Sequence, residues 1–450
     1  MTKKIVSLLF AVLFLGLCAV PAVGLVLTGG AKAGANEVLA PKPALTNRDG
    51  SLNGDYLADL ADYVSDRFYL RQECVTAWAR LNAALFHTSV TEDVILGADG
   101  WLYYAPTLPD YTRSEPMSGR ELWCAARTLW LLQEYAESRG GQFLFTIAPN
   151  KNSLYAAAMP ACPMANRLSN AEALRILLGQ MGINYVNLFD VFETADEVLY
   201  FPTDSHWNGK GAALAADAIL SALRREDRYH AGPFTDSEHR GDLYEMLYPA
   251  GKALDPDYVY APGFTFTANT ANPDNLRITA EGPGEGTLLM YRDSFGRNLY
   301  PYLAESFAHA EFSRKTNYDP TAMAEGGTLI IELVERNLRY LNTYVPVLPA
   351  PTREAGLIAG AVERGELSLT ASAGPEGYTT LTGVFAGIAP DADSPVYLSV
   401  NNAVYEAAPQ PEGFSALLPE SAAKGEVGIV FTADGNLVSL RGVIVRGVIE

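Results

Sequence analysis

Four short apolar runs constrain this chain more than any other feature. Gln142–Ala148 (QFLFTIA), Ile183–Phe189 (INYVNLF), Thr287–Arg292 (TLLMYR) and Thr328–Val334 (TLIIELV) are strand-like in length and partly β-branched. Stretches of helical periodicity separate them, at Ser169–Gly182, Gly209–Leu223 and Asn298–Ala308. Strand alternating with helix predicts a mostly parallel sheet covered on both faces, a three-layer α/β domain. Doubly wound sheets of this kind place their sites in loops beyond the carboxyl ends of the strands. Ahead of the first run, Tyr56–Phe86 is amphipathic at helical spacing, Val94–Tyr104 reads as a hairpin around Asp99-Gly100, and Ser118-x-x-Glu121 is a capping box opening a long helix. A stretch rich in Asp, Gly, Pro and Tyr, Tyr229–Asn275, breaks the rhythm and reads as a long loop over one end of the sheet.

The chain changes character after Pro346. Beyond the stiff Val347–Pro351 it consists of short β runs between Gly, Pro, Asp and Asn, which predicts a small β-sandwich over 352–450. At the other end, Ile5–Leu27 carries no charge and follows Lys3 and Lys4. A run of this length can span a bilayer with its N-terminus inside, so residues 1–28 are expected to be a signal anchor. Cleavage as a signal peptide is the alternative, at Val20-Pro21-Ala22 or Ala31-Lys32-Ala33. Residues 29–53, small, polar and rich in Gly and Pro, read as a linker, and 54–346 as the α/β domain. On either reading the rest of the chain works outside the cytoplasmic membrane.

Asp and Glu outnumber Lys and Arg by 52 to 33, a formal net charge of −19. Such a surface repels nucleic acid and anionic lipid. Four Cys, one of them Cys18 in the apolar leader, form neither a disulfide framework nor a CxxC zinc pair. No helical His pair suggests a metal, and no cofactor is expected.

Two loop motifs carry chemistry. Asp204-Ser205-His206 stands just before a helix; residues two apart in extended backbone share a side, so Asp204 could orient the His206 ring. Read alone, Asp204 is as well explained as a helix cap. Asp293-Ser294 stands between the third apolar run and the following helix, where backbone N–H groups favour a developing anion. A serine there becomes a nucleophile if a base reaches it.

The ordered pair, Asp-x-His-Trp and later an apolar strand ending in Asp-Ser-Phe-Gly, resembles the SGNH-hydrolase-like polysaccharide O-acetyltransferases, the AlgX/AlgJ and DHHW-type proteins. Phe68–Arg71, Val94–Tyr103, Ala148–Lys151, Gly241–Leu243 and Glu332–Leu338 are similar too, so the resemblance covers roughly residues 55–345. Ser205 departs from it, standing where the DHHW pattern doubles its His. The resemblance implies Ser294 as nucleophile, His206 as general base and acid, and Asp204 as its orienter. Lys151 would line the site, Arg292 would bind an anionic group or pair with Asp293, and Asn317 and Tyr318 are candidate oxyanion or sugar contacts. It further implies acetyl transfer to a cell-surface or exported polysaccharide, with a membrane-bound O-acyltransferase as donor partner. A carbohydrate acetylesterase with the same three residues, or a non-catalytic glycan-binding scaffold, are the alternatives.

Overall fold

The computed structural model describes residues 2–32, 38–260, 263–422 and 426–446. Ala33, which ends the second cleavage-like stretch, lies outside them, as do residues 34–37 of the expected linker. Helix α1, Thr2–Thr28, contains a segment from Lys4 to Thr28 long and apolar enough to cross a membrane, a test that an N-terminal signal sequence also passes. The amphipathic stretch after the linker forms two helices, α2 (Tyr56–Arg67) and α3 (Arg71–Phe86). Phe68 turns extended and Leu70 takes a left-handed φ of 66°, which interrupts the helical hydrogen bonds between them. The hairpin forms from β1 (Val94–Leu96) and β2 (Leu102–Tyr104), with Val94 opposite Tyr104 and both Asp99 and Gly100 at positive φ. Helix α4, Gly119–Ser138, opens with the capping box: Glu121 N donates to Ser118 Oγ and Ser118 N to Glu121 Oε2.

The central sheet follows. Its strands are β3 (Gln142–Ala148), β4 (Tyr185–Val186), β7 (Thr267–Ala268), β8 (Arg277–Glu281), β9 (Thr287–Tyr291), β10 (His309–Ser313) and β11 (Thr328–Val334). Their order is β4-β3-β11-β9-β10-β8-β7. The first five run parallel, and β8 and β7 are added antiparallel at one edge. The helices between strands are α5 (Asn170–Gln180), α6 (Leu188–Glu193), α7 (Gly209–Ala222) and α9 (Gly296–Ser306). Strand periodicity divides the side chains between two cores. Phe143, Phe145 and Ile147 of β3 pack with Leu129 and Leu132 of α4 and Leu174 of α5, whereas Leu144 and Ala148 face Ile219 of α7 and Leu299 of α9. The four apolar runs therefore lie in one mostly parallel sheet. The second is shorter than its sequence implies, because the chain turns at Asn187 into α6.

The stretch 229–275 is not a plain loop. It holds the antiparallel pair β5 (Phe234–His239) and β6 (Asp255–Tyr260), with helix α8 (Asp242–Leu247) between them. The last third of the chain is rich in strands, as expected, but they form one continuous curled sheet of nine strands rather than two separate sheets. Its long strands Val362–Ala373 and Asn436–Arg446 pair in parallel through a bulge at Glu363–Gly365. They enclose a core of their own, including Leu369, Phe414 and Phe431.

An ion network ties that sheet to α4. The Glu406 carboxylate, fully buried, accepts from Arg127 Nε at 2.7 Å and Nη2 at 2.9 Å, and from Arg353 Nε at 2.7 Å. Arg353 also forks onto Glu134 at 2.8 and 2.6 Å, and Arg127 lies 3.9 Å from the centroid of the Trp130 ring. Removing one partner from a buried pair leaves the other charge uncompensated. Glu406→Ala should therefore cost about 3 kcal/mol in urea unfolding. A loss below about 0.5 kcal/mol would show that solvent already screens the network.

Candidate functional site

The C-terminal edge of the parallel strands collects the loops of interest. The segment after β11 binds two of them together. Asp293 Oδ2 accepts from Val334 N at 2.7 Å and Asn337 Nδ2 at 2.9 Å, while Asp293 N donates to the buried Glu332. Glu335 Oε2 accepts from Asn150 N at 3.0 Å and Ser153 Oγ at 2.6 Å. Asp293 thus fixes the turn that carries Ser294, and its Oδ1 caps Phe295 N at 2.9 Å just ahead of α9.

The Asp204-Ser205-His206 loop reaches the same edge by another route. It does not follow a sheet strand; it is closed by an isolated bridge between Tyr200 and Trp207, with Phe201 N donating to His206 O. Asn208, not Asp204, caps α7, accepting from Lys210 N and Gly211 N. The local contact expected in extended backbone is made in a bend instead: Asp204 Oδ1 accepts from His206 N at 2.9 Å and meets His206 Nδ1 at 2.7 Å. On the far side of the ring, His206 Nε2 lies 2.9 Å from Ser294 Oγ. Phe295 packs on the imidazole with centroids 4.8 Å apart. Asp204, His206 and Ser294 therefore form one hydrogen-bonded relay across residues 88 apart in sequence.

Asp204 has a second histidine. Its Oδ2 accepts from His239 Nε2 at 2.7 Å and from Asp242 N at 2.9 Å. Burial alone would raise this carboxyl, yet the charge of His206 and the hydrogen bonds from His206 and His239 hold it well below the ordinary carboxylate range. Burial pulls His239 downward, but Asp204 outweighs it and the imidazole is raised. Asp242 accepts from Ser205 N at 2.8 Å and Ser205 Oγ at 2.6 Å, and burial next to Asp204 raises its pKa. Asp204, His206 and Asp242 form a group of metal-type ligands, but both Asp204 oxygens and His206 Nδ1 already face protein donors or acceptors.

Lys151 lies beneath the loop rather than in the site. Its Nζ donates to the carbonyls of Phe201 at 3.1 Å, Pro202 at 3.0 Å and Asp204 at 2.6 Å, and it faces the Trp101 and Tyr103 rings. Three acceptors match the three protons of an ammonium. Burial pushes its pKa down to about 7, with Asp204, Asp242 and Asp255 opposing the fall. Lys151→Met should leave three carbonyls without a donor, cost about 3 kcal/mol and lower kcat more than it changes KM. Unchanged stability and kcat would remove Lys151 from any supporting role.

The other expected contacts stand elsewhere. Arg292 is buried and donates to the carbonyls of Pro273 at 2.6 Å and Asn275 at 3.4 Å, and it reaches only the backbone oxygen of Asp293. Tyr318 is buried in the core beside Tyr291, and Asn317 is exposed outside the cavity. The loop that Asn317 and Tyr318 belong to follows β10, the strand paired with the β9 that leads into the Ser294 turn.

Above Ser294 and His206 opens a cavity of about 1050 Å³. Four arginines border it in this acidic protein. Arg297 and Arg314 each lie 3.7 Å from Asp274, and Arg240 lies 3.8 Å from Glu245. Arg336 has no carboxylate within 4 Å among the described residues, and its guanidinium sits 5.4 Å from the Tyr104 and Phe295 centroids. Asp242 and Arg336 lie in segments that carry the resemblance, yet their roles, and His239 altogether, escape sequence reasoning because no short motif couples them to Asp204 or Ser294. Only the pairing of β5 with β6 brings His239 and Asp242 back to the loop.

Residues 94–283 match the family described as "SGNH hydrolase-like domain, acetyltransferase AlgX". This part of the chain is similar to that family. The matched region includes Lys151, Asp204, His206, His239 and Asp242, and the match ends before the Ser294 turn. "Probable alginate O-acetylase AlgJ" of Pseudomonas syringae pv. tomato is 23% identical over 248 residues, 52% of this chain and 58% of its own length. The AlgJ of Pseudomonas putida so named is 23% identical over 242 residues, with the same coverage. This chain thus spans 58% of the length of these curated relatives. Among solved structures, the O-acetyltransferase domain of Pseudomonas putida AlgJ aligns with a TM-score of 0.37 at 17% identity, over 55% of this chain and 92% of that one. PatB1 of Bacillus cereus with a sulfonyl adduct aligns at 0.42 and 18%, over 56% and 99%.

Proposed function

We propose that this chain is an extracytoplasmic O-acetyltransferase that moves acetyl groups onto hydroxyls of an exported or cell-surface polysaccharide. The observation that carries the reading is the relay Ser294 Oγ–His206 Nε2 at 2.9 Å and His206 Nδ1–Asp204 at 2.7 Å, opening on the large cavity. His206 takes the Ser294 proton as Oγ attacks the acetyl carbonyl of a donor ester. As the tetrahedral intermediate collapses, the same proton passes to the departing alcohol and leaves acetyl-Ser294. A sugar hydroxyl then gives its proton to His206, attacks the acetyl carbonyl, and Ser294 recovers the proton as the ester leaves. Asp204 holds the ring and stabilises the imidazolium formed in each half. Arg336, which lines the cavity with no carboxylate within 4 Å among the described residues, would donate to the acyl or sugar oxygens.

In this reading residues 54–346 are a three-layer catalytic domain, 352–450 a strand-rich module that holds carbohydrate, and 1–28 a membrane anchor joined by the linker 29–53. The names of the AlgJ relatives support a polysaccharide acceptor. The acetyl donor would come from a membrane-bound O-acyltransferase. The test uses a chromogenic acetyl ester with and without an oligosaccharide. Acetylated peptide at Ser294, followed by faster turnover and acetylated sugar, is the expected result. Acetate as the sole product at saturating sugar would make the chain an acetylesterase. No turnover by folded protein would leave the scaffold reading.

A further inference from the structure

Helix α3 has its small residues inside and its large ones outside. Thr76 and Ala79 face the protein: Ala79 packs with Val94, Leu102, Leu243 and Leu247, and Thr76 Oγ1 accepts from Ala250 N at 2.9 Å. Toward solvent, Cys74, Ala77, Trp78, Leu81, Ala84 and Leu85 recur at spacings of three and four, so they form one stripe along the helix. Trp78 is 58% exposed, Leu81 47% and Leu85 62%, and the stripe contains no charge. Leaving such residues in water forgoes their burial, and a contiguous apolar face of this kind marks an interaction surface.

The position of α3 identifies the occupant. The turn between α2 and α3 is attached to the end of α1: Tyr69 N donates to Pro21 O at 3.3 Å, Ala31 N to Arg67 O at 3.0 Å, and Tyr69 packs directly on Gly24. A hydrocarbon core about 30 Å thick takes about 20 helical residues. Counted from Lys4, that depth is reached near Gly24, which puts Tyr69 and the start of α3 at the outer headgroup boundary. Tryptophan and tyrosine favour that boundary, and a helix with one large apolar face lies flat in it.

We propose that α3 rests on the outer lipid surface through the Trp78–Leu85 stripe, an inference that relies on the anchoring role of residues 1–28. The attachment is apolar rather than electrostatic, since the net charge of −19 disfavours anionic headgroups. Helix α3 packs against α8, whose first residue is Asp242, so lipid contact would fix the rim of the cavity relative to the bilayer.

The test is lipid quenching of the full chain in phosphatidylcholine vesicles with brominated acyl chains. Helix α1 contains no tryptophan, and Trp78 is the one exposed tryptophan among the described residues. Bromolipid should quench the protein, and Trp78→Phe should lose most of that quenching. Leu81→Glu with Leu85→Glu should lose it too while the chain still resists alkaline carbonate extraction, which reports α1 alone. Equal quenching before and after Trp78→Phe overturns the proposal. Protection from acrylamide without bromolipid quenching also overturns it, by assigning the stripe to a second copy. If carbonate releases the wild-type chain, the anchor reading has failed. Persistent quenching of Trp78 on re-added vesicles would then sustain the stripe alone, and its absence would defeat both.

Discussion

Ser294→Ala should reduce acetyl-ester turnover by about 10⁴-fold or more while the far-UV spectrum and unfolding midpoint stay unchanged. The side chain is half-buried in a turn whose geometry is set by Asp293, not by Oγ, so its removal takes no support from the fold. What disappears is, among the described residues, the one nucleophilic oxygen hydrogen-bonded to His206 Nε2, at 2.9 Å. A neighbouring serine supplies the control. Ser205 Oγ lies 3.2 Å from His206 Nδ1, but it already donates to Asp242 at 2.6 Å, on the side of the ring that faces the carboxylates. Ser205→Ala should therefore lower kcat far less, by about 10-fold, as a loss of one hydrogen bond in the network. Should the two variants exchange these effects, the nucleophile has been assigned to the wrong face of the imidazole.

The contrast between these serines shows what the sequence could and could not reveal. Periodicity exposes β3, β9 and β11 because a strand buried on both faces is mostly apolar, and Phe143 to Ala148 alternate between two cores with Thr146 the one polar residue, its hydroxyl donating to Val186 O. The Asp293-Ser294 motif is legible because strand-to-helix turns are where such sheets place their sites, whereas the Asp204-Ser205-His206 loop reaches the same edge without following a sheet strand. Arg292 shows where the inference stops. A charged residue beside a candidate nucleophile looks like an anion contact, yet its guanidinium finds backbone carbonyls of 273 and 275 and never faces the cavity. Lys151 is misread in the same way: it neutralises carbonyl dipoles under the loop rather than meeting substrate. The contacts of His239 and Asp242 with Asp204 are hidden because they come from tertiary pairing, 35 and 38 residues beyond the carboxylate they touch. A local motif reports residues that share a turn; it is silent about those delivered by a hairpin.

Asp204→Asn should be nearly as damaging as loss of the serine, and it should also change how stability depends on pH. The carboxylate accepts four hydrogen bonds, from His206 N, His206 Nδ1, His239 Nε2 and Asp242 N. A carboxamide has one accepting oxygen, so either orientation turns an NH₂ toward two donors. With the oxygen toward His239 and Asp242, the His206 ring loses its acceptor and presents the wrong tautomer to Ser294, which corresponds to about 10⁴-fold in kcat. Two buried donors left unpaired cost about 2 kcal/mol or more. The pH dependence follows from the same contacts. Asp204 is held well below its unfolded value of about 3.9, so its contribution is present above that pH and is lost as pH falls through the lower folded value. The stability gap between wild type and Asp204→Asn should accordingly be wide at neutral pH and close on acidification below about pH 4. His239 works in the opposite sense. Its folded pKa lies above the unfolded value of about 6.5, so its contribution is complete below that pH and fades as pH rises through the raised value. Asp204→Asn removes the cause of that shift, and the alkaline decline should flatten in the variant. Urea unfolding from pH 3 to 9 measures both limbs. A gap that is constant across the range would mean that Asp204 carries no charge in the folded protein, and the relay through His206 would then need another source of orientation.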